Sequence, residues 1–138
     1  GHAAFRFVVE IDGLGEAYFT SCTLPALEVE VEEEREGGFN DGTHLLPGRM
    51  KRGTVTLRRG LAASSALLKW YLDVLQGKAQ ASRRQVSVIL YNSLGEQVMR
   101  WDFGGAYPHK WKGPTLDAAS STLAIEELEL SFESVAVS

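Results

Sequence analysis

Short runs in which apolar and polar residues alternate recur along almost the whole chain, and this period of two limits the fold more than any other feature. Phe5, Phe7, Val9 and Ile11 alternate with Arg6, Val8 and Glu10, and Asp12-Gly13-Leu14-Gly15 then turns the chain. Leu27, Val29 and Val31 alternate with glutamates, as Val55 and Leu57 do with Thr54, Thr56 and Arg58. Val86, Val88 and Leu90 lead into the turn Asn92-Ser93-Leu94-Gly95, and Met99, Trp101 and Phe103 follow. Successive strand side chains point to opposite faces, so each run predicts a half-buried antiparallel strand, with hairpins between them. Tyr18 to Leu24 reads as a further strand ending at Pro25.

The last strand changes phase. Leu123 and Ile125 are odd-numbered, whereas Leu128, Leu130 and Phe132 are even. A β-bulge or sharp bend at Glu126-Glu127 would keep both sets on the core side.

One segment, about 64–77, reads as a helix. Ser64 or Ser65 can cap its first turn, and Gly77 suits the left-handed terminal position. Between them Leu67, Leu68, Trp70, Tyr71, Leu72, Val74 and Leu75 leave only a narrow polar stripe at Lys69, Asp73 and Gln76. Such a helix has too much apolar surface for one sheet to cover. The fold expected for 1–138 is one mainly β domain (α+β): an antiparallel barrel or sandwich of about seven strands with one flanking helix. At 44% hydrophobic residues the chain can bury a core.

A glycine-punctuated hairpin arm is expected at about 36–52. Gly37, Gly38 and Gly48 would permit its turns, Pro47 would fix its approach, and Phe39, Leu45, Leu46 and Met50 would give it apolar contacts. A loop this long in a small domain has a task or is disordered, and apolar side chains favour a task. The arm therefore reads as an assembly device, with Gly37, Gly38, Phe39, Leu46, Pro47, Gly48 and Met50 as its contact residues.

Residue groupings for chemistry are weak. Gly13-Leu14-Gly15 leads into a strand rather than a helix and carries no dinucleotide signal. His44 and His109 have no second ligand at metal spacing and read as solvated loop residues. Glutamates at 28, 30 and 32–34, and again at 126, 127, 129 and 133, fit solvated strand faces better than an acid–base pair. Cys22 reads as a small buried strand residue, not a nucleophile. The basic groups at 49–52, 58–59, 83–84 and 110–112 stand apart from the acidic strands, which suits head-to-tail contact between identical chains. With a net charge of −4 the composition does not point to nucleic acid or an anionic membrane. No apolar run spans a bilayer, no secretory signal is visible, and Gly1-His2 reads as a cloning remnant. The expectation is a protein without enzymatic activity, cofactor or metal.

Taken in order, Phe7-Val-Val-Glu-Ile-Asp-Gly13, Glu36-Gly37-Gly38, Leu46-Pro47-Gly48, Thr56-Leu-Arg-Arg-Gly60, Trp70 and Val88-Ile-Leu-Tyr-Asn-Ser-Leu-Gly95 form one set. Trp101-Asp-Phe103, Ala106-Tyr-Pro108, Lys110-Trp-Lys-Gly-Pro114 and Ala124-Ile-Glu126 complete it. The set resembles the phage tail-tube family, including inner-tube proteins of phage-derived contractile injection systems. It departs from the family at Thr23-Leu24-Pro25, where members often carry a glycine-containing turn. The resemblance implies a fold like that of the haemolysin-coregulated tube proteins. It also implies hexameric rings that stack into a hollow tube inside a contractile sheath, with baseplate and cap proteins as further partners. Cargo or DNA would pass through the lumen, lined by charges such as Glu28, Glu30 and Glu32 or Arg58 and Arg59, and assembly would occur in the bacterial cytoplasm. A tube-initiating or terminal baseplate subunit is the alternative within the family, and a small-ligand barrel or a paired-carboxylate hydrolase are alternatives outside it.

Overall fold

Alternation in Arg6–Ile11 places Val9 and Ile11 on the core side, and this segment forms β1 in a computed structural model that describes residues 4–35, 43–51, 53–61, 65–78, 80–119 and 124–138. Strands β2 (Gly15–Ala17), β3 (Ser21–Thr23), β4 (Glu28–Arg35), β5 (Thr43–Lys51) and β6 (Val55–Gly60) follow, then helix α1 (Ala66–Leu75). Strands β7 (Arg84–Tyr91), β8 (Gln97–Lys112), β9 (Ile125–Ser131) and β10 (Ser134–Val137) complete the order. The main sheet runs β2-β1-β7-β8-β9-β6-β3, with β10 added on β8, and all its pairings are antiparallel.

Strand β8 organises the fold. Its first half pairs with β7 and β10, and its second half pairs with β9. The two halves meet at Gly104-Gly105, where Gly105 has φ +60. A Cβ on Gly105 would lie 2.8 Å from the Glu133 carboxyl carbon, so both backbone and space call for glycine there. The sheet thus doubles over a single core built from Val9, Ile11, Val86 and Val88 on one side and Val55, Leu57, Leu128 and Leu130 on the other. Phe103 and Phe132 meet at 4.9 Å between ring centroids, and Leu67 and Trp70 of α1 complete the cluster.

Helix α1 is capped as its sequence implies. Ser65 accepts a hydrogen bond from the Leu68 amide at 3.1 Å, and Gly77 takes φ +81 just beyond the end. The helix is shorter than 64–77, and Ser64 lies outside the described residues. The indole of buried Trp70 donates to the Ser82 carbonyl at 2.5 Å, tying the helix to the turn before β7. Leu72 and Leu75 stay exposed, so the described residues leave part of the helix's apolar surface uncovered.

Two expectations about the sheet are corrected. No bulge occurs at Glu126-Glu127: the β6–β9 register is unbroken from Gly60↔Ile125 to Val55↔Leu130. Instead Ile125 faces out and Glu126 faces in at 1% exposure, because Arg59 and Ser65 supply the hydrogen bonds that make a buried carboxylate tolerable. The irregularity falls on the partner strand, between Pro108 and Lys110, so His109 is the extra residue. Likewise β4 is not a half-buried core strand. Val29 and Val31 are 50% and 62% exposed, because the strand runs past the end of the core and pairs only with β5 among the described residues.

Candidate assembly interface

The arm is longer than 36–52. It begins at Glu28, and β4–β5 prolongs the β3–β6 hairpin: Thr23 pairs with Thr56 and Glu28 with Lys51, an equal advance along both strands. Between these pairs Gly53 sits tight against Pro25, where a Cβ would come within 2.5 Å of the Pro25 Cβ. Leu46, Pro47 and Gly48 do not form a turn. They lie within β5, with Pro47 opposite Val31 at the point where the register shifts, a position that tolerates a residue with no N–H. Gly37, Gly38 and Phe39 lie outside the described residues. Val29, Val31 and Met50 expose apolar surface on the arm, and Leu27 does so just before it. A two-stranded ribbon is marginal in isolation, so an arm of this kind gains its stability from whatever covers it.

Apart from Ile125, the outward face of β3-β6-β9-β8 is polar among the described residues. Arg58 pairs with Glu127 at 2.9 Å, and Glu129 meets His109 at 3.3 Å and Lys110 at 3.9 Å. Thr56 stands in register with Glu129, and Ser21 with Arg58. Arg58 and Arg59, adjacent in sequence, therefore part company: Arg58 belongs to the solvated row, whereas Arg59 turns in to Glu126 and stacks 5.5 Å from the Phe19 ring centroid. Glu30 is exposed on the arm, and Glu32 pairs with Leu46 in register, so the glutamate row lies in the two-stranded β4-β5 sheet and the arginine row in the main sheet.

His109 is a strand residue, not a loop residue. Its Nδ1 lies 2.8 Å from the Ser131 Oγ and its Nε2 3.3 Å from Glu129. The row Ser131–His109–Glu129 escaped sequence reading because its members come together only across a strand pair that contains a bulge. It lies on an open strand face and serves as a cross-strand hydrogen-bond row. Lys110, Trp111 and Lys112 are also in β8 rather than a loop, with Trp111 packed against the core.

Elsewhere the polar groups are structural. The Ser87 hydroxyl, 2.6 Å from Asp102, holds that carboxyl below the usual carboxylate range, against an opposing push from burial and with help from Arg100 at 3.0 Å. Burial pushes the Cys22 thiol up to about 11, which keeps it protonated and inert. Glu10, Asp12, Ser87 and Arg100 border a depression of about 500 Å³, a polar basin rather than the apolar pocket of a ligand-binding barrel. No group of three or more His, Cys, Asp or Glu is arranged to hold a metal among the described residues. No described helix is long and apolar enough to cross a membrane.

Comparison with known proteins gives a consistent picture. The family model for the T4-like virus tail tube protein gp19 matches residues 3–136. A chain in the cryo-EM structure of the anti-feeding prophage baseplate is 26% identical with a TM-score of 0.78, over 100% of this chain and 95% of that one. A chain in the PVC extracellular contractile injection system, in its extended sheath–tube complex, is 26% identical with a TM-score of 0.80, over 96% and 88%. Hcp1 from Flavobacterium johnsoniae shares the fold at 14% identity and a TM-score of 0.59, over 95% and 93%. No curated protein sequence matches.

Proposed function

Because the chain belongs to the T4-like tail tube family, as a family match over 3–136 establishes, we propose that this tube subunit closes into rings, six to a ring, that stack into a hollow conduit. The observation that carries the reading is the sheet itself. Its outward face is solvated and several of its charges are already paired within the chain, as in Arg58–Glu127 and Lys110–Glu129. A face whose one large exposed apolar side chain among the described residues is Ile125, and whose opposite charges are interspersed, lets cargo slide past without sticking, which is what the wall of a bore requires. We assign this face, with Arg58, to the lumen in preference to the Glu28/Glu30/Glu32 strand.

The arm would then serve contact between copies. Val29, Val31 and Met50 supply apolar area, with Leu46, Pro47 and Gly48 in the same ribbon; Gly37, Gly38 and Phe39, which lie outside the described residues, are proposed as further contact residues. The exposed Leu72 and Leu75 of α1 offer a second surface for burial. A contractile sheath, baseplate and cap would be the other partners, with protein cargo or DNA in the bore and assembly in the bacterial cytoplasm. A work cycle of this kind is mechanical and needs no catalytic residue. Electron microscopy of the purified protein tests the reading: closed rings or tubes with a central channel are expected, and a monodisperse monomer at high concentration would reject it.

A second reading, a tube-initiating or terminal subunit, draws on the likeness to a chain of the anti-feeding prophage baseplate over the whole of this sequence. It predicts single rings that do not extend into long tubes.

A further inference from the structure

Strand register sorts the charges of the outward face into rows. In one row Lys110 of β8 stands opposite Glu129 of β9, and Glu129 opposite Thr56 of β6, so the lysine meets a carboxylate of its own. In the next row Lys112, Glu127 and Arg58 stand side by side, two cations to one carboxylate. Glu127 accepts from the Nε of Arg58 at 2.9 Å, whereas the Lys112 side chain meets no ion-pair or hydrogen-bond partner among the described residues. This row therefore keeps a positive charge in surplus, and an anion is drawn to it.

The surplus charge borders a notch. Arg58, Lys112 and Glu127 enclose, together with Pro114 and Ile125, a depression of about 320 Å³. The Arg58 side chain is 57% exposed and donates to the described residues only through Nε, which leaves its two terminal nitrogens for a ligand. Ile125, 45% exposed, and Pro114 give the notch an apolar side. At its rim Gly113 lets the chain pass close over Trp111, since a Cβ there would come 2.8 Å from the indole ring.

We infer that this notch seats a carboxylate side chain of a protein segment passing along the face, with an aliphatic neighbour of that carboxylate laid on Ile125. The inference rests on the assignment of this face to the bore, and it names the class of cargo as acidic protein rather than DNA. Duplex DNA carries one negative charge per about 1.7 Å of its axis. With one phosphate on Lys112, the next ones would lie against Glu127 and Glu129, and none brings an aliphatic group to Ile125. An acidic polypeptide can set a single carboxylate between Lys112 and Arg58 and keep neutral groups beside the glutamates. An exposed ion pair is weak and screened by salt, so one notch holds a segment only loosely. Repetition along a tube would add such holds together while each still releases readily.

Titrating the purified protein into a short labelled peptide of glutamate and leucine, read by fluorescence anisotropy, tests the inference. Lys112→Gln should weaken binding at least about threefold and Lys112→Glu at least about tenfold, both with an unchanged near-ultraviolet circular dichroism spectrum. Lys110→Gln should alter it by less than about twofold, because that ammonium already meets Glu129. A glutamine–leucine counterpart and a DNA strand of equal charge should both bind more weakly than the acidic peptide. Full binding by Lys112→Glu, equal binding of the glutamine peptide, or tighter binding of the DNA would overturn the inference and leave the tube reading standing. Peptide that binds dispersed chains but is not taken up by assembled tubes would overturn the cargo assignment. If the purified protein forms no rings, the tube reading falls by itself, and the same titration on dispersed chains decides the notch.

Discussion

Arg59 Nε donates to Glu126 Oε1 at 3.3 Å, and the carboxylate that accepts it is 1% exposed. Removing one member of a buried pair leaves the other uncompensated, which costs about 3–5 kcal/mol. Arg59→Ala should therefore fall near that range in urea unfolding. Glu126→Gln, which keeps a hydrogen-bonding oxygen and sheds the charge, should cost distinctly less.

Ser65 carries two tasks at once. Its hydroxyl accepts from the Leu68 amide and donates to Glu126 at 3.2 Å. Ser65→Ala should lose about 1–2 kcal/mol, at the upper end for a helix cap. Ser65→Asp, a good cap elsewhere, should be worse here because it sets a second carboxylate beside Glu126. Greater stability of the aspartate variant would show that the cap outweighs the carboxylate contact.

Asp102 gives the fold an acid limit. Its carboxyl is held low by Ser87 and Arg100, so its contribution is complete above the unfolded value of about 3.9 and drains as pH falls through the lower folded value. Ser87→Ala should raise the Asp102 midpoint, read directly by carboxyl NMR, and Asp102→Asn should flatten this part of the stability profile.

Cys22 gives the opposite limit. With its thiol pushed up to about 11, the native protein should react slowly with iodoacetamide at pH 8 and quickly once unfolded in urea. Because the unfolded thiol ionises first, stability should decline as pH rises between about 8.5 and the folded value. Cys22→Ser should remove that decline.

The arm is separable from the core. Deleting residues 37–48 should leave a cooperatively folding domain, since among the described residues the core cluster draws on neither β4 nor β5. Stacking should fail, and normal tubes formed by the deletion variant would show that the arm does not join copies.

Much of this was legible in the sequence, for physical reasons. The strands β1, β6, β7 and β8 follow the alternation because one face of each meets the core, and the Ser65 and Gly77 signals bracket α1 because capping is local chemistry. The failures share a cause. Alternation in β4 marks two faces but cannot say whether a core lies against either of them. Ile125 outside and Glu126 inside invert the hydrophobic rule because Arg59 and Ser65, distant in sequence, reach the carboxylate. The His109 bulge is a property of the β8–β9 pair, so neither strand announces it alone.

The 16 residues of β8 serve both halves of the sheet. A thrust delivered to one half reaches the other along covalent bonds, as through a bent beam, with no seam that could slip under load.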